Sequence, residues 1–245
     1  MSYSHLAGVY DGFAYDFDYD AWTAWYIEMI NSCSSAVKEI CDCGCGTGSI
    51  SVRLARRGYR LTGIDVSEEM LAEAQIKARK AGVRIPFIKQ DMRNLSLPHK
   101  TDAVISTCDG VNYLLTDADV SSFFNSVYNN LKPDGIFCFD ISNYEKLSDN
   151  GLYGEDMESQ AYLWQNEFDE KTCLLRMKLS LFVKDDDGKY NRYTEEHVQK
   201  AHKTEKIKEL IIKSGFSIVE IIGNDTGISP GPGGKRIYFI AKKEK

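Results

Sequence analysis

No run of apolar residues comes near the roughly 20 that a membrane-spanning helix needs, so the sequence reads as that of a protein outside the bilayer. Lys and Arg never occur more than two in a row, and 36 acidic against 30 basic residues leave a formal charge of −6. DNA finds little to hold on such a chain and is not an expected partner. Gly-Lys-Ser/Thr is absent, which excludes a phosphate-loop nucleotidase. Histidine is scarce, at His5, His99, His197 and His202. Cysteine is not: Cys33, Cys41, Cys43, Cys45, Cys108, Cys138 and Cys173 make an odd set, several of them inside apolar runs where a free thiol packs as a small hydrophobe. No secretory charged and apolar regions open the chain. The cysteines therefore read as reduced thiols of a cytoplasmic protein. Cys41, Cys43 and Cys45 have no second Cys/His pair at metal-finger spacing, so no metal is expected.

What is present is enough apolar content, 43% of 245 residues, to build a core without disulfides. From about residue 36 to 142, short β runs alternate with amphipathic helices, the pattern of parallel strands joined by crossovers. Val37 to Cys41, Arg60 to Ile64, Arg84 to Ile88, Ala103 to Ser106 and Ile136 to Ile141 are the strand candidates. Helices are expected over Thr47 to Arg57, Ser67 to Ala81 and Ala118 to Leu131. Ser67 can cap the second of these, Glu68 and Glu69 suit its positive end, and Gly82 stops it.

The rhythm breaks over residues 143 to 203, where Ala161 to Phe168, Cys173 to Val183 and Tyr190 to Gln199 read as an antiparallel meander. A helix capped by Thr204 and stopped by Gly215 follows, then strands Phe216 to Ile222 and Arg236 to Ala241. No helix joins these last two, so they should be antiparallel. The expected fold class is α/β, a doubly wound, mostly parallel seven-stranded sheet with an antiparallel β insert after the fifth strand. Its parts would be an N-terminal helical arm (1–35), a cofactor-binding core (36–143 and 203–245) and the insert as a lid (144–202).

Strand residues Glu39 to Asp42 run directly into Cys43-Gly44-Cys45-Gly46-Thr47-Gly48 and a helix. Glycines at that first turn let backbone touch a ligand. Asp42, Asp65, Asp91 and Asp109 end or follow four successive strands, at the sheet edge where open α/β proteins bind ligands. Each alone could be a helix cap or a solvated turn residue. In register, they suggest a nucleoside site in which Asp65 accepts both ribose hydroxyls and Asp91 an amino hydrogen of the base.

The segment Glu39 to Gly48 resembles motif I of the class I S-adenosylmethionine-dependent methyltransferases, E/D-x-G-x-G-x-G, matched by Asp42, Gly44, Gly46 and Gly48. The likeness continues through Leu61 to Asp65, Gln90 to Met92 and Leu131 to Gly135. It implies a Rossmann-like methyltransferase fold with S-adenosyl-L-methionine as cofactor. Asp65 would hold the ribose, Asp91 the adenine amino group, Met92 the adenine ring or a neighbouring amide contact, and Gly44 and Gly46 the methionine, with Asp42, Cys45 and Val66 beside them. The segment Val9 to Trp22 is similar to the family's entry segment, so Tyr10 and Tyr15 would close over the cofactor, or simply pack the arm. Ser106 to Leu114 is similar to the loop under the sulfonium, where Cys108 and Asp109 would sit; Cys108 could equally be inert filler.

The implied reaction is methyl transfer to a small-molecule N or O acceptor. A tRNA or protein acceptor and a non-catalytic cofactor-binding module are the alternatives. Pro-Cys is absent, as is an Asn/Asp-Pro-Pro-aromatic element at the fourth strand, which points away from DNA bases. A nicotinamide enzyme would show G-x-G-x-x-G instead. His197, on an inserted strand with Tyr193 on the same face, is the candidate base, or else a hydrogen-bonded surface histidine.

Overall fold

The computed structural model describes residues 18–34, 36–185, 187–223, 231 and 234–244. Helix α1 (Tyr19–Cys33) starts at Asp18, whose carboxylate accepts from the Ala21 amide at 2.9 Å and satisfies one of the donors a helix start leaves open. Strand β1 (Glu39–Cys43), helix α2 (Ser49–Arg56), strand β2 (Arg60–Asp65), helix α3 (Glu68–Lys80) and strand β3 (Phe87–Lys89) follow. Then come β4 (Thr101–Ser106), α4 (Asp117–Asn130) and β5 (Leu131–Ser142). After the insert, α6 (Thr204–Lys213), β10 (Phe216–Ile222) and β11 (Arg236–Lys243) complete the chain's described elements. The strands form one seven-stranded sheet in the order β10-β11-β5-β4-β1-β2-β3, with β11 antiparallel to both neighbours.

Helix α3 forms where its boundary residues require: the Ser67 hydroxyl accepts from the Met70 amide at 3.1 Å, and Gly82 beyond its end has φ +70°. The cap of α6 differs from the sequence expectation. Lys203 is its N-cap, without a side-chain bond, and Thr204 is already helical.

The sheet is buried on both faces. Phe137, Phe139 and Ile141 of β5 pack with Phe123, Phe124 and Val127 of α4 and with Ile207 and Ile211 of α6. Ile136 and Cys138, one residue out of phase, pack with Trp22, Tyr26 and Ile30 of α1 and with Ile50 and Leu54 of α2. Two-sided burial explains why this strand reads as a continuous apolar run. Asp140 falls by parity on the α1 side of that run, fully buried.

Helix α5 (Tyr144–Leu147) leads into a second sheet of β6 (Leu152–Asp156), β7 (Gln160–Asp169), β8 (Leu174–Lys184) and β9 (Tyr190–Lys200), all antiparallel in that order. The meander thus has four strands, one more than the sequence pattern suggests. Phe168, Leu175 and Met177 close over Leu147 and Ala201, which brings the two ends of the insert together. Asn112, in the turn after β4, fastens the insert to the core: its amide nitrogen donates to Lys200 O at 2.8 Å and its oxygen accepts from Ser142 N at 2.9 Å. Among the described residues, no helix is long and apolar enough to cross a membrane.

Candidate cofactor site

A cavity of about 470 Å³ opens at the carboxyl ends of β1 to β4, within the size range of small-molecule sites. Its floor is the turn after β1. Gly44 N and Cys45 N both donate to Ile64 O, at 2.7 and 3.0 Å, which folds the turn against β2. Gly46 has φ +53°, and a Cβ there would meet nothing within 4 Å. Gly48, at φ +71°, starts α2 where a Cβ would sit only 2.9 Å from the Ala74 Cβ. Only glycine fits this turn at its close approach, and its backbone borders the cavity.

Asp65 lines the cavity at the end of β2. Its Oδ2 accepts from Gly46 N at 2.9 Å and its Oδ1 from Ser67 N at 3.0 Å. Burial pushes this carboxyl above its usual range, while the amides of Ser67, Gly46 and Val66 pull it back. With about four acceptor positions, two of them taken by Gly46 N and Ser67 N, the carboxylate keeps capacity for hydroxyl donors from the cavity.

Asp42 lies behind the loop and is not part of the cavity wall. Its Oδ2 accepts from Ser51 Oγ at 2.5 Å, and its buried Oδ1 has no hydrogen-bond partner among the described residues. Burial pushes Asp42 up to about 7; the Ser51 bond opposes this and the neighbouring Asp65 charge adds to it. Gly44, Cys45, Gly46, Val66, Asp91, Met92 and Cys108 all line the cavity together with Asp65. Tyr10 and Tyr15 lie outside the described residues.

Asp109 is placed elsewhere. Its carboxylate pairs with Arg236 and accepts from Ser142 Oγ at 2.6 Å. Arg236 also reaches Asp140, with Nη1 2.5 Å from Oδ2, and its guanidinium lies 4.9 Å from the Trp22 ring centroid. Asp140 in turn accepts from Tyr26 OH at 2.7 Å, Cys108 N at 2.8 Å and Asp109 N at 3.2 Å. Cys108 and Asp109 are both left-handed, at φ +57° and +69°, a conformation these bonds to Asp140 hold in place. One buried cluster therefore ties α1, β5 and β11 to the turn after β4 that borders the cavity. Burial pushes Cys108 up to about 12, so at neutral pH it is a thiol.

His197 does not line the cavity. It is 3% exposed on β9, with Nε2 3.4 Å from Glu195 Oε2. Its ring meets Tyr113 edge-on at 6.1 Å, and Tyr113 does line the cavity. Contact between the histidine and the site therefore runs through the tyrosine.

Sequence reasoning missed Asp140, Arg236, Arg93 and Tyr113. A charged residue in an otherwise apolar strand, as Asp140 is in IFCFDIS, was the available signal for the first two, since a buried charge requires a partner. Arg93 and Tyr113 sit in turns whose path only the fold reveals.

A cavity at the carboxyl edge of the sheet, with a glycine turn after β1 and a carboxylate at the end of β2, is the arrangement of Rossmann-like cofactor-binding proteins. The family profile described as "Methyltransferase domain" matches residues 40–135. A protein of Geobacillus sp. (strain WCH70), provisionally named a methyltransferase, is 34% identical over 99% of this chain and all of its own. The crystal structure of an S-adenosylmethionine-dependent methyltransferase from Clostridium acetobutylicum ATCC 824 superposes with a TM-score of 0.86 at 30% identity, covering 99% of both chains. The sugar N-methyltransferase KedS8 from Streptoalloteichus sp ATCC 53650 shares the fold at 17% identity, with a TM-score of 0.82 over 97% of this chain and 93% of its own. The chain belongs to the class I S-adenosylmethionine-dependent methyltransferases, and S-adenosylmethionine is its cofactor.

The residues fit that cofactor. Asp65 has acceptor capacity left over that would suit the hydroxyls of a ribose, and the loop leaves open space beside Gly46.

Proposed function

We propose that this methyltransferase acts on a nitrogen or oxygen of a small molecule, nitrogen being favoured. In this reading the cofactor lies along the carboxyl edge of the sheet, its methionine over Gly44 to Gly46, its ribose at Asp65 and its purine toward Met92 and the turn after β3. Tyr10 and Tyr15 would close over the cofactor, and the arm over 1–35 with the insert over 144–202 would cover the acceptor. The observation that carries the proposal is the position of Tyr113, which lines the cavity and packs against the insert through His197. The insert thereby abuts the cavity on the side of the turn after β4. The fold likeness to a sugar N-methyltransferase covers 97% of the chain, so a chain path of this kind can serve a small polar acceptor.

Bound in this way, the cofactor supplies an electrophilic methyl group on a sulfonium. The chain's own task is to hold donor and acceptor in line and keep water out. The turn from Thr107 to Gly110, fixed by Asp140, forms the wall beside the β4 exit. Cys108, a neutral thiol there, presents an apolar surface and does not compete for the methyl group. A neutral amine can attack without prior loss of a proton, whereas a hydroxyl needs a base. None of the described cavity-lining residues is a histidine. His197 would therefore position Tyr113, and an acceptor amine that arrives unprotonated would need no base.

The test uses cofactor labelled in its methyl group, the full chain and a dialysable metabolite pool. Label is expected in small molecules, chiefly as methylated amines. Label confined to added tRNA or protein would overturn the reading.

A further inference from the structure

We propose that Tyr19 binds the carboxylate of the cofactor's methionine moiety, and that Arg53 acts through Tyr19 as a positioning residue. The proposal rests on the reading that the methionine lies over Gly44 to Gly46.

Tyr19 is the one residue of α1 that lines the cavity. It is half-buried and packs against the core cluster that contains Ile50. Arg53 of α2 holds it there. The guanidinium carbon lies over the Tyr19 ring, 5.2 Å from its centroid, while Nη1 donates to Ser49 O at 3.1 Å and Nε to Asp20 Oδ1 at 3.1 Å. One planar cation thus joins the start of α1 to the start of α2 and holds the tyrosine ring by its face. Thr47, Ser49 and Ile50 line the cavity as well.

Charge is divided along the cavity. The carboxylates that line it are Asp65 at the end of β2, Asp91 after β3 and Asp119 on α4. Where α1 meets α2, none of the described lining residues is an acid, and the charges behind the wall are positive. Arg53 stands behind Tyr19, and Lys77 of α3 donates from Nζ to Thr47 Oγ1 at 3.0 Å and to Ser49 Oγ at 2.5 Å. Asp20, which pairs with Arg53, is shared with Arg57 at 3.9 Å, and its side chain is 71% exposed, so water screens it most. S-adenosylmethionine carries a single anionic group, the carboxylate at the end of its methionine. The division of charge favours that group at the α1 end, where the phenol of Tyr19 offers one O–H donor. A hydrogen bond from a neutral donor to a carboxylate is stronger than one between neutral groups.

The experiment is calorimetric titration of two ligands, S-adenosylhomocysteine and its decarboxylated analogue, which keeps the amine and lacks only the carboxylate. The analogue is measured by displacement of S-adenosylhomocysteine. The proteins are the full chain and its variants Tyr19→Phe, Tyr19→Ala, Arg53→Ala and Y19A/R53A, with thermal melting to confirm folding. The wild type is expected to bind the analogue at least about tenfold more weakly than S-adenosylhomocysteine, and Tyr19→Phe to lose about tenfold for S-adenosylhomocysteine but less than about twofold for the analogue. Arg53→Ala should lose about threefold for S-adenosylhomocysteine, and nothing further in the Tyr19→Ala background. A tyrosine that only packs predicts Tyr19→Phe equal to the wild type for both ligands, and that result would overturn the proposal. Equal losses for the two ligands in Tyr19→Phe would also overturn it, and a full Arg53 effect without Tyr19 would remove the positioning role. Asp65→Ala in the same series separates the two possible failures. If it weakens both ligands while Tyr19→Phe weakens neither, only the proposal falls; if Asp65→Ala also binds like the wild type, the placement of the cofactor falls with it.

Discussion

Arg236→Ala is expected to cost about 3 to 5 kcal/mol of stability, the range for breaking a buried ion pair on one side. The arginine is nearly inaccessible and sits between the carboxylates of Asp109 and Asp140, the second of them fully buried. Without it, the two acidic groups keep only Lys146 among the described residues, whose Nζ lies 3.9 Å from Asp109 Oδ2, as a nearby cation. Burial already pushes Asp140 up to about 7 despite its bonds from Tyr26 and Cys108 N, and losing a neighbouring cation would raise it further. The Trp22 ring would also lose the guanidinium over its face. Arg236→Lys should recover only part of the loss, since an ammonium cannot fork between two carboxylates. Urea unfolding at neutral pH reads the effect. A midpoint equal to that of the wild type would mean that the cluster does not hold α1 and the turn after β4 to the sheet.

Removing the insert should abolish methyl transfer, by at least about 100-fold, the scale on which misplacement of reacting groups acts, while cofactor binding survives. The separation follows from geometry. No residue of β6 to β9 lines the cavity, whereas Tyr113, which does, is backed by His197 of β9. Leu147 and Ala201 belong to one apolar cluster, so a short Gly/Ser turn can replace residues 149–200. Circular dichroism must first show that the core still folds. Product titration and labelled transfer then give the two readouts. A truncated protein that turned over its acceptor at the normal rate would remove the insert, His197 and Tyr113 from the acceptor wall.

The parallel core was legible because its strands and helices differ in period and end in the right residues, as Ser67 and Gly82 do for α3. Strand β6 was not. Its sequence, LYGED, has no alternation, carries a glycine and two acids, and forms an outer strand of the second sheet that only pairing with β7 defines. The start of β5 was hidden as well, because Pro133, Asp134 and Gly135 read as a turn. In the structure they are carried inside the strand at an irregularity in its pairing with β4, and Asp134 is left-handed there.

The candidate site divides in the same way. Asp65 and the glycines were legible because backbone approach and strand-end position leave local marks. The place of Asp109 was not, because its partner is chosen by the fold: Arg236, 127 residues away, holds it. Distance in sequence also explains His197. Its strand and face could be read, but the ring that stands between it and the cavity belongs to another part of the chain.

The most direct test of the account is titration of S-adenosylhomocysteine into the wild type and Asp65→Ala, with NAD as the control ligand. The account predicts binding by the wild type, none of NAD, and a loss of about 10- to 100-fold in Asp65→Ala, the scale of one or two hydrogen bonds to a charged group. Equal affinity of the two proteins for S-adenosylhomocysteine would contradict it.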